Sequence, residues 1–113
     1  MTKIAIPTNG GRLSTHFGHC EKFAIVEADK DKSEIVGTKY IDPPKHEPGA
    51  LPKWLREQGV GLVIAAGMGN RAQQMFAKFG VESMVGAPEG TPEEIVKSYL
   101  AGGLETGDNI CDH

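Results

Sequence analysis

The chain has 113 residues, of which 39% are hydrophobic and 24% charged, and a net charge of −3. That length suffices for one packed core and predicts a single domain over residues 1–113. The acidic balance and the scattered cations (Lys3, Lys22, Lys30, Lys53, Arg56, Arg71) argue against nucleic acid and against an anionic membrane surface, and no apolar run approaches the ~20 residues of a spanning helix.

Met1-Thr2-Lys3-Ile4-Ala5-Ile6 enters a strand pattern at once, with no signal peptide visible, and the expected address is cytoplasmic. A strand is predicted from Lys3 to Pro7, with Ile4 and Ile6 on one face. A long, Gly-rich polar loop follows from Thr8 to Lys22. Phe23 to Ala28 alternates as a second strand. Glu34 to Ile41 is a third, antiparallel to the second because the link between them is too short for a crossover. Asp42 to Pro48 is a Pro-rich loop.

The pattern then switches to helix and strand in turn. Ala50 to Gln58 sets Leu51, Trp54 and Leu55 on one helical face, and Gly59 stops it. Leu62 to Ala66 is a continuous apolar run typical of a buried parallel strand. Asn70 to Phe79 is a helix with Ala72, Met75, Phe76 and Phe79 at helical spacing, ended by Gly80. Val81 to Val85 is the last strand. Thr91-Pro92-Glu93-Glu94 is a capping box opening a helix that stops at Gly102-Gly103. Residues 104–113 are expected to be an irregular tail. The order β-β-β-α-β-α-β-α predicts a mixed five-stranded sheet, a meander followed by βαβ units, with helices on its faces.

All four histidines and both cysteines fall outside these elements. His16, His19 and Cys20 lie in the first loop, His46 in the Pro-rich loop, and Cys111 and His113 in the tail. Imidazole and thiolate are the donors that borderline and soft metals prefer. The first loop and the His46 loop are expected at the same sheet edge, outside the carboxyl ends of the parallel strands, where α/β sheets bind ligands. In an extended tail Cys111 and His113 point the same way and form a possible chelate or lid. A Cys20–Cys111 disulfide, a solvated His46 and a functionless tail are the plainer alternatives. Gly67-Met68-Gly69-Asn70 precedes a helix whose N-terminal amides attract an anion, with Arg71 adding charge. It lacks the Lys-Ser/Thr of a P-loop and the last glycine of a dinucleotide fingerprint. Met68 reads more simply as packing. Ser14 and His16 are two residues apart, which is no triad signature, and no carboxylate pair stands out for acid–base work.

Taken together, Lys3-Ile4-Ala5-Ile6-Pro7, Ser14-x-His16-Phe17-Gly18 followed by Phe23-Ala24-Ile25-Val26, His46, Gly67-Met68-Gly69-x-Arg71-Ala72 and Gly86 resemble the dinitrogenase iron-molybdenum cofactor biosynthesis family, which includes NifX and NafY proteins. The resemblance implies an RNase H-like fold and a small accessory or carrier protein rather than an enzyme. Its partners would be a metallocluster and other cofactor-assembly proteins. The cargo would be iron-molybdenum cofactor, a precursor, or another iron-sulfur or molybdenum-containing cluster. The resemblance makes His16 and His46 ligand-type positions; Cys20 and the Cys111-x-His113 tail occur in only part of the family. The resulting candidate set for metal is His16, His19, Cys20, His46, Cys111 and His113. For the cofactor as a whole it adds Phe17, Gly18 and the turn Gly67, Met68, Gly69, Asn70 and Arg71. A mononuclear zinc or iron enzyme and a metal-free interaction module are the competing readings.

Overall fold

The computed structural model of the protein describes residues 2–13, 22–29, 31–42, 50–67, 70–87 and 90–102. Four strands come first: β1 (Thr2–Asn9), β2 (Arg12–Leu13), β3 (Lys22–Asp29) and β4 (Glu34–Ile41). Helix α1 (Ala50–Glu57) follows, then β5 (Leu62–Ile64), α2 (Asn70–Lys78), β6 (Glu82–Met84) and α3 (Pro92–Leu100).

The strand order is β4-β3-β1-β5-β6, with β2 paired to β1 beside this path. β3 is antiparallel to both β1 and β4, whereas β1, β5 and β6 run parallel. Among the described residues the mixed sheet therefore has six strands, where five were expected. The extra strand is β2, within the stretch expected to be loop. It arises because Gly10 and Gly11 hold φ of 61° and 80°, the left-handed pair a two-residue hairpin turn requires. The turn sets Asn9 opposite Arg12 and Thr8 opposite Leu13. Two residues are too few to show an alternating pattern, so the sequence carried no strand signal there.

Period-two alternation decides what each face buries. Ile4, Ile6, Ala24, Val26 and Ala28 point to one side with Leu62 and Ile64, and pack against Ile95 and Val96 of α3. Ala5, Phe23, Ile25 and Val63 point to the other, where Leu55 of α1 and Phe76 of α2 cover them. Trp54 of α1 meets Phe23 of β3 edge to face, ring centroids 5.8 Å apart. The result is a sheet between two helical layers, consistent with the apolar-run pattern of β5, which is buried on both faces.

Local signals set the helix ends. Thr91 caps α3, accepting from the Glu94 amide at 3.3 Å, with Pro92 in the first turn. α2 closes when the Val81 amide donates to the Phe76 carbonyl at 2.8 Å and Gly80 to Ala77 at 3.1 Å, a bonding pattern that satisfies two orphan carbonyls. No helix among the described residues is long and apolar enough to cross a membrane.

Candidate ligand edge of the sheet

The topology brings four chain segments to one edge. β1, β5 and β6 are parallel, so all three leave the sheet at their carboxyl ends on the same side: through Asn9, through Ala65 to Gly67, and through Val85 to Ala87. β3 is antiparallel to β1 and enters there at Lys22, paired with Thr8. β4 is antiparallel to β3 and leaves there at Ile41, opposite Phe23. Leu13, Lys22, Asp42, Gly67, Ala87 and Gly90, the described residues next to 14–21, 43–49, 68–69 and 88–89, therefore stand at this edge, where open α/β sheets bind ligands.

The candidate donors belong to these segments or to the tail. His16, Phe17, Gly18, His19, Cys20, His46, Met68, Gly69, Cys111 and His113 lie outside the described residues. Of the candidates within them, Gly67 is buried just after β5, Asn70 opens α2, and Arg71 is exposed in the first turn of α2. Among the described residues no group of three or more His, Cys, Asp or Glu is placed to hold a metal ion.

Four contacts tie the roots together. Thr8 is 1% exposed, and its hydroxyl donates to the Lys22 carbonyl at 2.8 Å. That bond joins the exit of β1 to the entrance of β3. The Lys22 ammonium lies 2.9 Å from Asp42 Oδ1, linking the return of 14–21 to the departure of 43–49. The Leu13 amide donates to the Gly90 carbonyl at 2.9 Å. The Gly86 amide donates to Ala66 at 3.0 Å, so the exits of β5 and β6 are paired beyond their strands.

Charges of both signs stand at this edge among the described residues. α2 has no acidic residue in its first turn, so its N-terminal amides keep their partial positive charge. α3 differs: Glu93 and Glu94 occupy its first turn and offset that charge. Exposed Arg12 and Arg71 add two cations. Tyr40, at the same end of β4, has its phenol held above the usual value, first by partial burial and then by the charge of Glu93. A cavity of about 300 Å³ opens over β3 and β4, lined among the described residues by Lys3, Ile25, Glu27, Lys39, Ile41 and Gln58.

Lys22, Asp42 and Thr8 did not stand out in the sequence. Their importance depends on register, which pairs Thr8 with Lys22 and Phe23 with Ile41. A lysine heading a strand and an aspartate ending the next one form the available signal, and it is legible only once the hairpin is aligned.

The family described as dinitrogenase iron-molybdenum cofactor matches residues 1–102. Uncharacterized protein MJ0580 of Methanocaldococcus jannaschii is 34% identical over 110 residues, covering 93% of this chain and 91% of that one. FeMo cofactor biosynthesis protein NifB of Sinorhizobium fredii is 28% identical over 87 residues, which are 72% of this chain but 18% of NifB. The crystal structure of PH0822 superposes with a TM-score of 0.84 at 25% identity, covering 93% of this chain and 94% of that one. With nearly the whole sequence matched and the fold shared, the chain belongs to the dinitrogenase iron-molybdenum cofactor family.

Proposed function

We propose that this protein is a cytoplasmic accessory or carrier protein, without catalytic turnover, that binds a metallocluster during cofactor biosynthesis or transfer. The cargo is iron-molybdenum cofactor, a precursor, or a related iron-sulfur or molybdenum-containing cluster. His16, Cys20 and His46 are the first-choice ligands, with His19, Cys111 and His113 as supporting or closing groups. Phe17, Gly18, Gly67, Met68, Gly69, Asn70 and Arg71 form the surround. The fold is read as RNase H-like on its strand order, with no nuclease role implied. Other cofactor-assembly proteins are the expected partners, as donors or acceptors of the cluster.

The observation that carries this reading is the common edge. The segment bearing His16, His19 and Cys20 and the segment bearing His46 are rooted beside each other there, at Lys22 and Asp42. The donor chemistry fits the cargo: imidazole and thiolate suit iron, copper and sulfide-bridged metals. The uncompensated amides of α2 and the cation of Arg71 suit a cluster of net negative charge. Few ligands on connecting segments also suit a carrier, which must release what it binds. A closed four-cysteine cage would retain it.

The test is anaerobic purification followed by reconstitution with iron, sulfide and either molybdate or tetrathiomolybdate. Metal analysis and absorption spectra are compared for the wild type and for His16→Ala, Cys20→Ala and His46→Ala. Each substitution is expected to lower metal content and change the charge-transfer bands. Equal uptake by all four proteins removes the proposed ligands, and one colourless zinc per chain would favour a mononuclear enzyme instead.

A further inference from the structure

We propose that β4 is a dimerisation edge. Two copies of the chain pair their β4 strands antiparallel about a twofold axis through Thr38, and their two sheets join into one. This goes beyond the carrier reading and does not depend on it.

β4 stands at one end of the strand order and is eight residues long. One side of its backbone therefore has no strand beside it among the described residues. Such a row of amides and carbonyls is a template for another strand. The other end of the sheet, β6, has only three residues. Val36 and Tyr40 are the exposed large hydrophobic residues among those described, at 52% and 43%, and both belong to β4. Thr38 and Tyr40 stand opposite Val26 and Ala24, on the face that α3 covers. Val36 lies one period further along the strand. The register shift with β3 falls between Gly37 and Ile35, which leaves Val36 outside that ladder.

Symmetry selects the register. A twofold axis normal to a sheet keeps each face on its own side, so it pairs residues of like parity. Centred on Thr38, it sets Val36 opposite Tyr40 of the second copy, twice. A β-branched residue against an aromatic one is a favoured cross-strand pair. On the other face it sets Lys39 opposite Gly37 of the second copy. Gly37 is itself opposite Glu27. Lys39 thus lies two strand spacings, about 10 Å, from that Glu27 backbone, within the joint reach of the two side chains. There is room for the lysine: a Cβ at Gly37 would meet nothing within 4 Å, and the cavity over β3 and β4 is lined by Glu27, Gly37 and Lys39.

A lysine within an edge strand discourages pairing with an arbitrary strand. A second copy brings the carboxylate that matches it, which favours self-association over capture of a foreign strand. Centring the axis on Gly37 would instead set Lys39 against Ile35 and Glu34 against Tyr40, and both matches are lost. Antiparallel pairing also turns the two ligand edges in opposite directions, so each copy keeps its own.

Sedimentation of the metal-free full chain between about 5 and about 500 µM reads the association. Wild type is expected to move from one chain mass toward two. Thr38→Lys sets two ammonium groups face to face at the axis and is expected to weaken association at least ~tenfold. Lys39→Glu should weaken it too, and Lys39→Glu with Glu27→Lys should restore most of it. Disulfide trapping in a Cys20→Ser, Cys111→Ser background reads the register, and it decides even if Thr38→Lys does not fold. Opposed residues have Cα atoms about 5 Å apart, within disulfide range, so Thr38→Cys is expected to cross-link two chains. Val36→Cys alone should not, because its two copies lie about 14 Å apart along the strands. Val36→Cys mixed with Tyr40→Cys should. A single chain mass at every concentration overturns the proposal. So does a dimer in which Thr38→Cys cross-links no better than Val36→Cys, because the copies then meet elsewhere.

Discussion

The amide of Leu13 donates to the carbonyl of Gly90 across 2.9 Å, so the last residue of β2 is tied to the residue just before the α3 cap. Segment 14–21 thus leaves from one anchored residue and returns to another, Lys22, whose carbonyl is held by Thr8.

Thr8 tests that anchoring. Replacing it with valine keeps the shape but removes the donor, leaving the Lys22 carbonyl without that partner. Thr8→Val should cost about 1–2 kcal/mol in urea denaturation. Hydrogen exchange should show faster exchange concentrated at the entrance of β3. A uniform rise in exchange across the sheet would count against local anchoring.

Phe76 tests the layer formed by α1 and α2. Its ring is fully buried against β5 and its neighbours, and Phe76→Ala should destabilise by ~3–5 kcal/mol. Val36 is 52% exposed on β4, so Val36→Ser should stay within about 0.5 kcal/mol. The two are compared by denaturant midpoint at equal slope.

Tyr40 tests the electrostatics beside the edge. Its phenol is shifted upward by partial burial and by Glu93. An acid whose folded-state pKa is raised contributes stability that is complete below pH 10 and is lost as pH rises through the folded value. Glu93→Gln should bring the Tyr40 titration back toward 10, followed by ¹³C-tyrosine NMR. An unchanged midpoint would exclude the Glu93 contribution.

Arg71 tests the proposed attraction of an anionic cargo. It is exposed in the first turn of α2, and Arg71→Gln should slow uptake of tetrathiomolybdate several-fold at low salt and little at high salt, because the interaction is screened. Stopped-flow absorption at two ionic strengths checks this. A rate loss that is the same at both would argue for a direct contact instead.

Apart from β2, the order of elements could be read from the sequence alone, because periodicity, helix stops and caps are local. Alternation in Phe23 to Ala28, the helical spacing of Ala72 and Phe76, and the Thr91 cap each reflect forces acting within a few residues of chain. The donor types could be read as well, since imidazole and thiol chemistry belongs to His and Cys wherever they stand. What only the tertiary structure decided is adjacency. β2 exists because β1 offers it a partner, and Lys22 meets Asp42 because two strands align in one register. The Lys22–Asp42 contact joins residues 20 apart in the chain, beyond the span over which periodicity is read, and β2, two residues long, shows no alternation of its own.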